Sequence, residues 1–165
     1  VGDFTRSLGS VVPGMPAWID GPHGGLALPG PEAHGIGLIA GGVGIAPLLS
    51  VLRQMRATGD RRPVALLYGN RLESQIVYRD ELDRLAAADG VTVTHVLGEP
   101  PAGWMGATGV VDAASIETAF GGLAAAAQWT YLLCGPPPML DAAEAALIAR
   151  GVPAGRILSE RFVYD

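Results

Sequence analysis

The chain has 165 residues, of which 49% are hydrophobic and 16% are charged, so it can bury one sizeable core. Its net charge of -5 and its lack of a basic run argue against nucleic acid or an anionic membrane surface as a partner. The single cysteine, Cys134, excludes an internal disulfide and a four-cysteine metal or iron–sulfur site, and the histidines show no ligand spacing. We therefore expect no metal site.

The sequence contains no recognisable signal peptide and no apolar run of the roughly 18 residues that span a bilayer. We expect a cytoplasmic chain, either soluble or the cytoplasmic portion of a membrane protein. The sequence starts at Val1, without a methionine and within a run of residues that looks like the middle of a structural element. We therefore expect it to be part of a longer protein.

The first 30 residues differ in character from the rest. Residues 2–8 can form one short helix, and residues 11–24 indicate a turn, one strand and a second turn. A lone strand cannot pair its backbone groups, so we expect it to complete a sheet whose other strands lie elsewhere. The expected domain boundary lies near residue 30.

A glycine-rich turn follows the first apolar strand, predicted at residues 36–40, and contains Gly41, Gly42 and Gly44. The next helix has apolar residues at 3/4 spacing, and Pro47 suits its first position because the missing N–H costs nothing there. Such a turn admits a pyrophosphate to the backbone, and the helix N-terminus favours its charge by roughly 0.3–1 kcal/mol. Glycines before a helix can equally serve tight packing, so both interpretations stay open.

Strands and helices alternate from there to the end of the chain. Further strands are predicted at residues 63–68, 91–97, 131–134 and 157–162. The predicted helices run from Pro47 to Gly59, over residues 79–88, from the N-cap Asp112 to Phe120, and over an alanine-rich stretch that Gly151 ends. This alternation indicates a parallel sheet with helices on both faces.

Parallel sheets bind ligands at the carboxyl ends of their strands, where the winding direction reverses. The unusual loops lie at such ends, namely Gly41 to Pro47, Gly69 to Arg71, Gly98 to Pro101 and Gly135 to Pro138. If the first and fourth strands are neighbours, their loops form the two walls of one crevice. Three consecutive prolines leave the fourth loop few N–H donors but a stiff path. We expect phosphates on the glycine side and a flat group on the proline side.

Two motifs in the expected order, Gly41-Gly-Val-Gly-Ile-Ala-Pro47 and Cys134-Gly-Pro-Pro-Pro-Met139, resemble the nicotinamide-nucleotide domain of the ferredoxin–NADP reductase superfamily. This superfamily includes cytochrome b5 reductases, and the resemblance is strongest to its ferric reductase, NADPH oxidase-like and NADH-dependent branches. It implies an α/β fold for residues 31–165, a doubly wound parallel sheet of about five strands in the order 3-2-1-4-5. Residues 1–30 would be the remnant of an antiparallel β-barrel that binds FAD.

The resemblance also implies an activity, that of an NAD(P)H-dependent FAD reductase. The protein would pass hydride from NADH or NADPH to FAD, and then single electrons to a haem, an iron–sulfur protein or a ferric chelate. Its partners would be the dinucleotide, an upstream FAD-binding domain and the electron acceptor. A nucleotide-binding regulatory module without flavin chemistry is the alternative.

The resemblance assigns cofactor-binding roles residue by residue. Residues 2–5 resemble the element that holds the FAD pyrophosphate, and Asn70 and Arg71 resemble a loop that contacts the nucleotide. The full set of implied cofactor-binding residues is Gly2, Asp3, Phe4, Thr5, Gly41, Gly42, Val43, Gly44, Pro47, Gly69, Asn70, Arg71, Glu99, Gly135, Pro136, Pro137, Met139 and Glu160.

Cys134 and Phe162 are the implied catalytic residues. Cys134 corresponds to a family cysteine beside the nicotinamide. Ser159-Glu-Arg-Phe162 resembles the family ending in which an aromatic covers the flavin face, with Tyr164 as the second choice. A buried, inert thiol and an aromatic that only packs against the sheet are the alternatives.

Glu99 bears on the choice of coenzyme, because NADPH-specific relatives carry a serine–arginine pair at the corresponding place. A carboxylate repels a 2′-phosphate and can accept a hydrogen bond from a ribose hydroxyl. NADH is therefore favoured over NADPH. Arg71 could still reach a phosphate, Glu99 could be a solvated loop residue, and Trp104 could pack near the adenosine or only fasten its own loop.

Overall fold

The computed structural model describes residues 3–21, 24–123 and 125–161. The strands are β1 (Ile36–Gly41), β2 (Val64–Asn70), β3 (Thr92–Leu97), β4 (Ala107–Thr108), β5 (Thr130–Gly135) and β6 (Ile157–Arg161). The helices are α1 (Asp3–Ser7), α2 (Ile45–Thr58), α3 (Arg79–Asp89), α4 (Ala113–Phe120) and α5 (Pro137–Ala149). Short 3₁₀ turns occupy Leu8–Ser10, Gly42–Gly44, Glu73–Gln75, Ala126–Gln128 and Ala154–Arg156.

The described strands form one parallel sheet in the order β4-β3-β2-β1-β5-β6. The order of the five longer strands confirms the predicted 3-2-1-4-5 arrangement. The sixth strand, β4, adds two residues beyond β3, where Ala107 lies opposite Val96. It was not predicted because two residues within a glycine-containing loop give no alternating pattern.

The sheet buries both of its faces. Successive strand residues point to opposite sides, so Leu38 and Ala40 face a core shared with α2 and α3. Ile39 faces a second core shared with α4 and α5. This arrangement confirms the doubly wound fold.

Helix α2 begins at Ile45, two residues earlier than expected, because the 3₁₀ turn Gly42–Gly44 runs directly into it. The expectation that Pro47 takes the first helical position is therefore wrong. Pro47 is still tolerated, since N–H groups in the first helical turn have no intrahelical acceptor. The helix ends as predicted, at Gly59 with φ of 71°.

The N-terminal segment confirms the predicted short helix, α1, but not the predicted strand. In the described part of residues 11–24, no strand forms, and the sheet does not include this segment. Trp18 and Ile19 are 90% and 96% exposed. The segment thus presents apolar side chains that the rest of the described chain does not cover.

None of the helices within the described ranges has the length and apolar character that crossing a bilayer requires. In the same residues, His, Cys, Asp and Glu side chains form no group of three that could hold a metal ion.

Asp112 caps α4, as its sequence position predicted. Its Oδ1 accepts a hydrogen bond from the backbone N–H of Ser115 at 2.9 Å, and Ser115 Oγ accepts one from the Asp112 N–H at 2.8 Å. We expect Asp112→Ala to lower the free energy of unfolding by about 1 kcal/mol in urea denaturation, because a helix N–H loses its acceptor. Asp112→Asn keeps an acceptor oxygen and should lose much less; an equal loss would contradict the capping role.

Candidate functional site

A cleft of about 660 Å³ opens at the sheet edge formed by the carboxyl ends of β1, β2, β3 and β5. Strands β1 and β5 are neighbours, so the loops that follow them face each other as expected. The cleft is lined by a group of the residues that the sequence assigned to the cofactor, namely Gly41, Gly42, Val43, Gly69, Asn70, Arg71, Pro136 and Met139.

One wall of the cleft is the turn between β1 and α2. A Cβ atom at Gly44 would overlap the carbonyl oxygen of Cys134, so only glycine allows α2 to start this close to β5. Gly42 and Val43 line the cleft at the N-terminal end of α2. Because the first turn of α2 carries no acidic side chain, the positive end of the helix dipole at this wall is not offset locally.

The opposite wall is the junction of β5 and α5. A Cβ at Gly41 would lie 2.6 Å from Met139 Sδ and 2.9 Å from Pro136 Cδ, so the two walls touch at the bottom of the cleft. Pro136 precedes α5 in an extended conformation, with φ of -62° and ψ of 141°. This wall is therefore stiff and largely apolar, as the proline run predicted.

A third wall consists of Gln75, Val77, Gly98, Gly109, Val110 and Val111. Of these residues, the sequence had placed only Gly98, in the loop after β3, at this edge of the sheet. The chain returns to the cleft after β4, where the Gly109 N–H donates to the Leu97 carbonyl oxygen at 2.8 Å. Val110 is 70% exposed, so it offers apolar surface to a ligand. The two valines after Gly109 were the available signal, but they lie in a loop whose path depends on the pairing of β4 with β3.

Arg71 and Glu99 form an ion pair at the rim, with Arg71 Nη1 3.6 Å from Glu99 Oε1. A backbone hydrogen bond also joins the two loops that carry them, since the Glu99 N–H donates to the Arg71 carbonyl oxygen at 2.8 Å. Glu99 itself does not line the cleft. Its effect on a ligand would act through its charge and through Arg71.

Trp104 lies apart from this cleft. Its Nε1 donates to the Ala107 carbonyl oxygen at 3.1 Å, and the Arg79 guanidinium lies 5.7 Å from its ring. The ring lines a separate hollow of about 500 Å³ together with Arg79 and Glu73. Trp104 therefore fastens its own loop.

Cys134 lies at the end of β5 and is fully buried, facing the α2 side of the sheet. Burial, with a smaller contribution from the Glu160 carboxylate, raises the pKa of the Cys134 thiol to about 11. Glu160 is its register partner on β6 and approaches Gly24, where a Cβ would lie 3.1 Å from Glu160 Oε2. The thiol is neutral at physiological pH and does not line the cleft.

The remaining predicted residues lie behind the cleft or outside the described part of the chain. Gly44, Pro47, Gly135 and Pro137 support the two main walls without lining the cleft. Phe4 is exposed on α1. Gly2, Phe162 and Tyr164, and the side chains of Asp3 and Thr5, fall outside the described residues.

Residues 38–145 match the family of oxidoreductase NAD-binding domains, and this stretch includes both the glycine turn and the proline wall. The chain belongs to that family. The match confirms the predicted nucleotide-domain fold, and solved structures of ferredoxin reductase type confirm the superfamily. One is a ferredoxin reductase in carbazole 1,9a-dioxygenase, with a TM-score of 0.66 and 29% identity over 81% of this chain and 39% of that one.

The relatives include NADH-cytochrome b5 reductases. The chain is 34% identical to NADH-cytochrome b5 reductase 1 of Pyricularia oryzae over 171 residues, which cover 96% of this chain and 52% of that protein. The cytochrome b5 reductase domain of Ulva prolifera nitrate reductase superposes with a TM-score of 0.84, at 28% identity, over 96% of this chain and 64% of that one. The chain spans about half the length of the curated relatives it matches.

The raised pKa of Cys134 predicts a thiol that resists alkylation and disulfide exchange in the native protein. At pH 8 a thiol of pKa about 11 is about 0.1% thiolate, against roughly a quarter for a free cysteine of pKa about 8.5. We expect labelling by a thiol-specific disulfide reagent at pH 8 to be at least about a hundredfold slower in the native protein than in denaturant. Comparable rates in both conditions would contradict the burial of the thiol.

Proposed function

We propose that this chain is the nicotinamide-dinucleotide domain of a flavin-dependent oxidoreductase that accepts hydride from NADH. The observation that carries the proposal is the cleft, in which a glycine turn at a helix N-terminus faces a stiff apolar wall across about 660 Å³. This volume lies within the range typical of sites for small molecules and cofactors. The two walls differ in chemistry in the way that the charged pyrophosphate and the flat nicotinamide of a dinucleotide differ.

The glycine wall would hold the pyrophosphate. Gly41 and Gly42 allow phosphate oxygens to reach the backbone, and the α2 N-terminus favours their charge by roughly 0.3–1 kcal/mol. Val43 lies beside this path, lines the cleft and is 58% exposed. The Asn70 and Arg71 rim would then contact the adenosine half.

The proline wall would hold the nicotinamide against Pro136 and Met139. When bound, the reduced nicotinamide supplies a hydride that FAD accepts and passes on as single electrons. Cys134 and Gly135 end the strand behind this wall, and the neutral thiol keeps charge and water away from it. The cleft needs no acid or base for this chemistry, so its residues serve chiefly to position the ligand.

The activity of the whole protein is proposed from the relatives and from the exposed N-terminal segment. The named relatives are NADH-cytochrome b5 reductases about twice as long as this chain. The exposed apolar residues 11–19 would pack against an upstream FAD-binding domain, with residues 2–5 near the FAD pyrophosphate and Phe162 over the flavin. We propose a haem protein as the acceptor, with an iron–sulfur protein or a ferric chelate as the other classes.

We further propose, as expected from the sequence, that the protein works in the cytoplasm. It would act there as a soluble enzyme or as the cytoplasmic portion of a membrane protein.

The proposed role of Cys134 is tested in the full-length, FAD-loaded protein. Cys134→Ala removes a buried side chain from the end of β5, beside the wall proposed for the nicotinamide, so we expect flavin reduction at saturating NADH to slow at least about tenfold while the Kd for NADH changes less than about twofold. Stopped-flow absorbance and calorimetry give the two values, and Cys134→Ser, which keeps the size of the side chain, is the control. Equal losses in rate and affinity, or an unchanged rate, would rule out this role.

The same experiment tests the proposed function. Reduction of the wild-type flavin by NADH supports it. NADH binding without any flavin reduction would instead identify a regulatory nucleotide-binding module.

The preference for NADH is tested at the rim. Glu99→Gln removes a carboxylate that would repel a 2′-phosphate and releases Arg71 to approach it. We expect the ratio of NADPH to NADH affinity in calorimetry to rise about fivefold. The change is modest because solvent screens the interaction between exposed charges. Glu117→Gln, which disrupts the distant Glu117–Arg150 pair, is the matched control. An unchanged ratio, or the same shift in the control, would remove Glu99 from coenzyme selection.

A further inference from the structure

The segment from Gly24 to His34 connects the exposed N-terminal part of the chain to β1. Leu26 and Leu28 pack against the core on the α2 side of the sheet, so the segment lies on the domain surface rather than projecting from it. The domain boundary expected from the sequence, near residue 30, falls within this segment. The path of residues 29–33 therefore determines where any preceding domain lies.

Arg62 binds the backbone of this segment at three points. Its Nη1 donates to the Gly30 carbonyl oxygen at 2.6 Å and to the Ala33 carbonyl oxygen at 3.3 Å. Its Nη2 donates to the Pro29 carbonyl oxygen at 2.9 Å. Lysine cannot reproduce these contacts, because they use the planar fork of the guanidinium.

Asp60 orients this guanidinium. Arg62 Nε donates to both carboxylate oxygens of Asp60, at 3.1 and 3.0 Å, and Nη2 donates to Oδ2 at 2.5 Å. The guanidinium holds the pKa of the Asp60 carboxyl below its usual value, so the pair is ionised. Asp60 is itself fixed to the end of α2, since its N–H donates to the Met55 carbonyl oxygen at 2.9 Å.

This cluster differs from an ordinary surface ion pair. The two side chains are only 19% and 16% exposed, which limits screening by solvent. The contacts also span more than 25 residues of sequence, from the α2–β2 connection to the interdomain segment. Arg62 thus connects the rigid nucleotide domain directly to the carbonyl groups at the predicted boundary.

We propose that Arg62, oriented by Asp60, is a positioning residue that fixes the path of residues 29–33 along the domain surface, and thereby places the FAD-binding domain over the cleft. The inference rests on the proposed function. Hydride transfer requires reacting atoms about 3–3.5 Å apart, and a displacement of 1 Å can cost about a hundredfold in rate. Loss of the Arg62 contacts would release the segment at the domain boundary and change the distance between the nicotinamide and the flavin. The residues that bind the dinucleotide would stay the same.

The test uses the full-length, FAD-loaded protein with Arg62→Ala and Arg62→Lys. Arg53→Ala is the matched control, because Arg53 makes a similar two-bond pair, at 2.8 and 2.7 Å, with Glu81 on α3 rather than with the interdomain segment. Three quantities are measured: hydrogen exchange of the amides in residues 30–35, the Kd for NAD⁺, and the rate of flavin reduction at saturating NADH.

For Arg62→Ala we expect exchange in residues 30–35 to become at least about tenfold faster and flavin reduction at least about tenfold slower, with the Kd changed less than about twofold. Arg62→Lys should show the same pattern at smaller size, and Arg53→Ala should match the wild type. If the Arg62→Ala variant does not fold, the same three quantities are measured for Arg62→Lys alone.

Faster exchange with an unchanged reduction rate would overturn the proposal and leave Arg62 a local structural contact. An unchanged exchange rate would overturn it as well, since the segment would then be held by other contacts. If NADH does not reduce the flavin of the wild-type protein, both the proposed function and this inference are refuted. That failure appears in the wild type, whereas failure of the inference alone appears only in the variants.

Discussion

The close approach of the β1–α2 turn to the end of β5 is the contact on which the site depends. Gly44 lies against the Cys134 carbonyl oxygen, with no space for a Cβ atom, and Gly41 lies against Met139 and Pro136. These contacts place a helix N-terminus and a proline wall on two sides of one cleft. Any larger side chain at Gly44 would have to move α2, and the separation of the two walls would change with it.

The strand order provides this contact. The chain winds outward from β1 to β4 and then returns to add β5 on the other side of β1. At that reversal two carboxyl-end loops diverge above the sheet and leave a crevice. Helices cover both faces of the sheet, and the residues of the central strands are buried on both, so the ligand site lies at the edge of the sheet, where backbone groups are accessible.

The sequence was sufficient for the features that depend on local chemistry. Apolar runs gave the five longer strands, Gly59 and Asp112 marked helix ends, and the glycine and proline motifs identified two walls of the cleft. Most of the third wall was not predicted, because Val110 lies in a loop whose path depends on the pairing of β4 with β3 and on the hydrogen bond between Gly109 and Leu97. The strand expected in residues 11–24 does not form in the described part of that segment, because a strand requires a neighbour and the described residues supply none there.

The positions of the ionisable side chains determine the charge of the site. Burial keeps Cys134 neutral, and the charged groups nearest the cleft, Arg71 and Glu99, pair with each other at its rim. At the opposite end of the same sheet, the Asp60–Arg62 cluster binds the backbone of residues 29–33. A protein whose cofactors carry the reaction needs this kind of rigid geometry more than it needs acids and bases.

The most direct measurement is a crystal structure of the full-length protein with NAD⁺ bound. The account predicts the pyrophosphate against Gly41, Gly42 and Val43 at the N-terminus of α2, and the nicotinamide ring against Pro136. A dinucleotide bound elsewhere, such as the hollow beside Trp104, or bound in the opposite direction along the cleft, would contradict it.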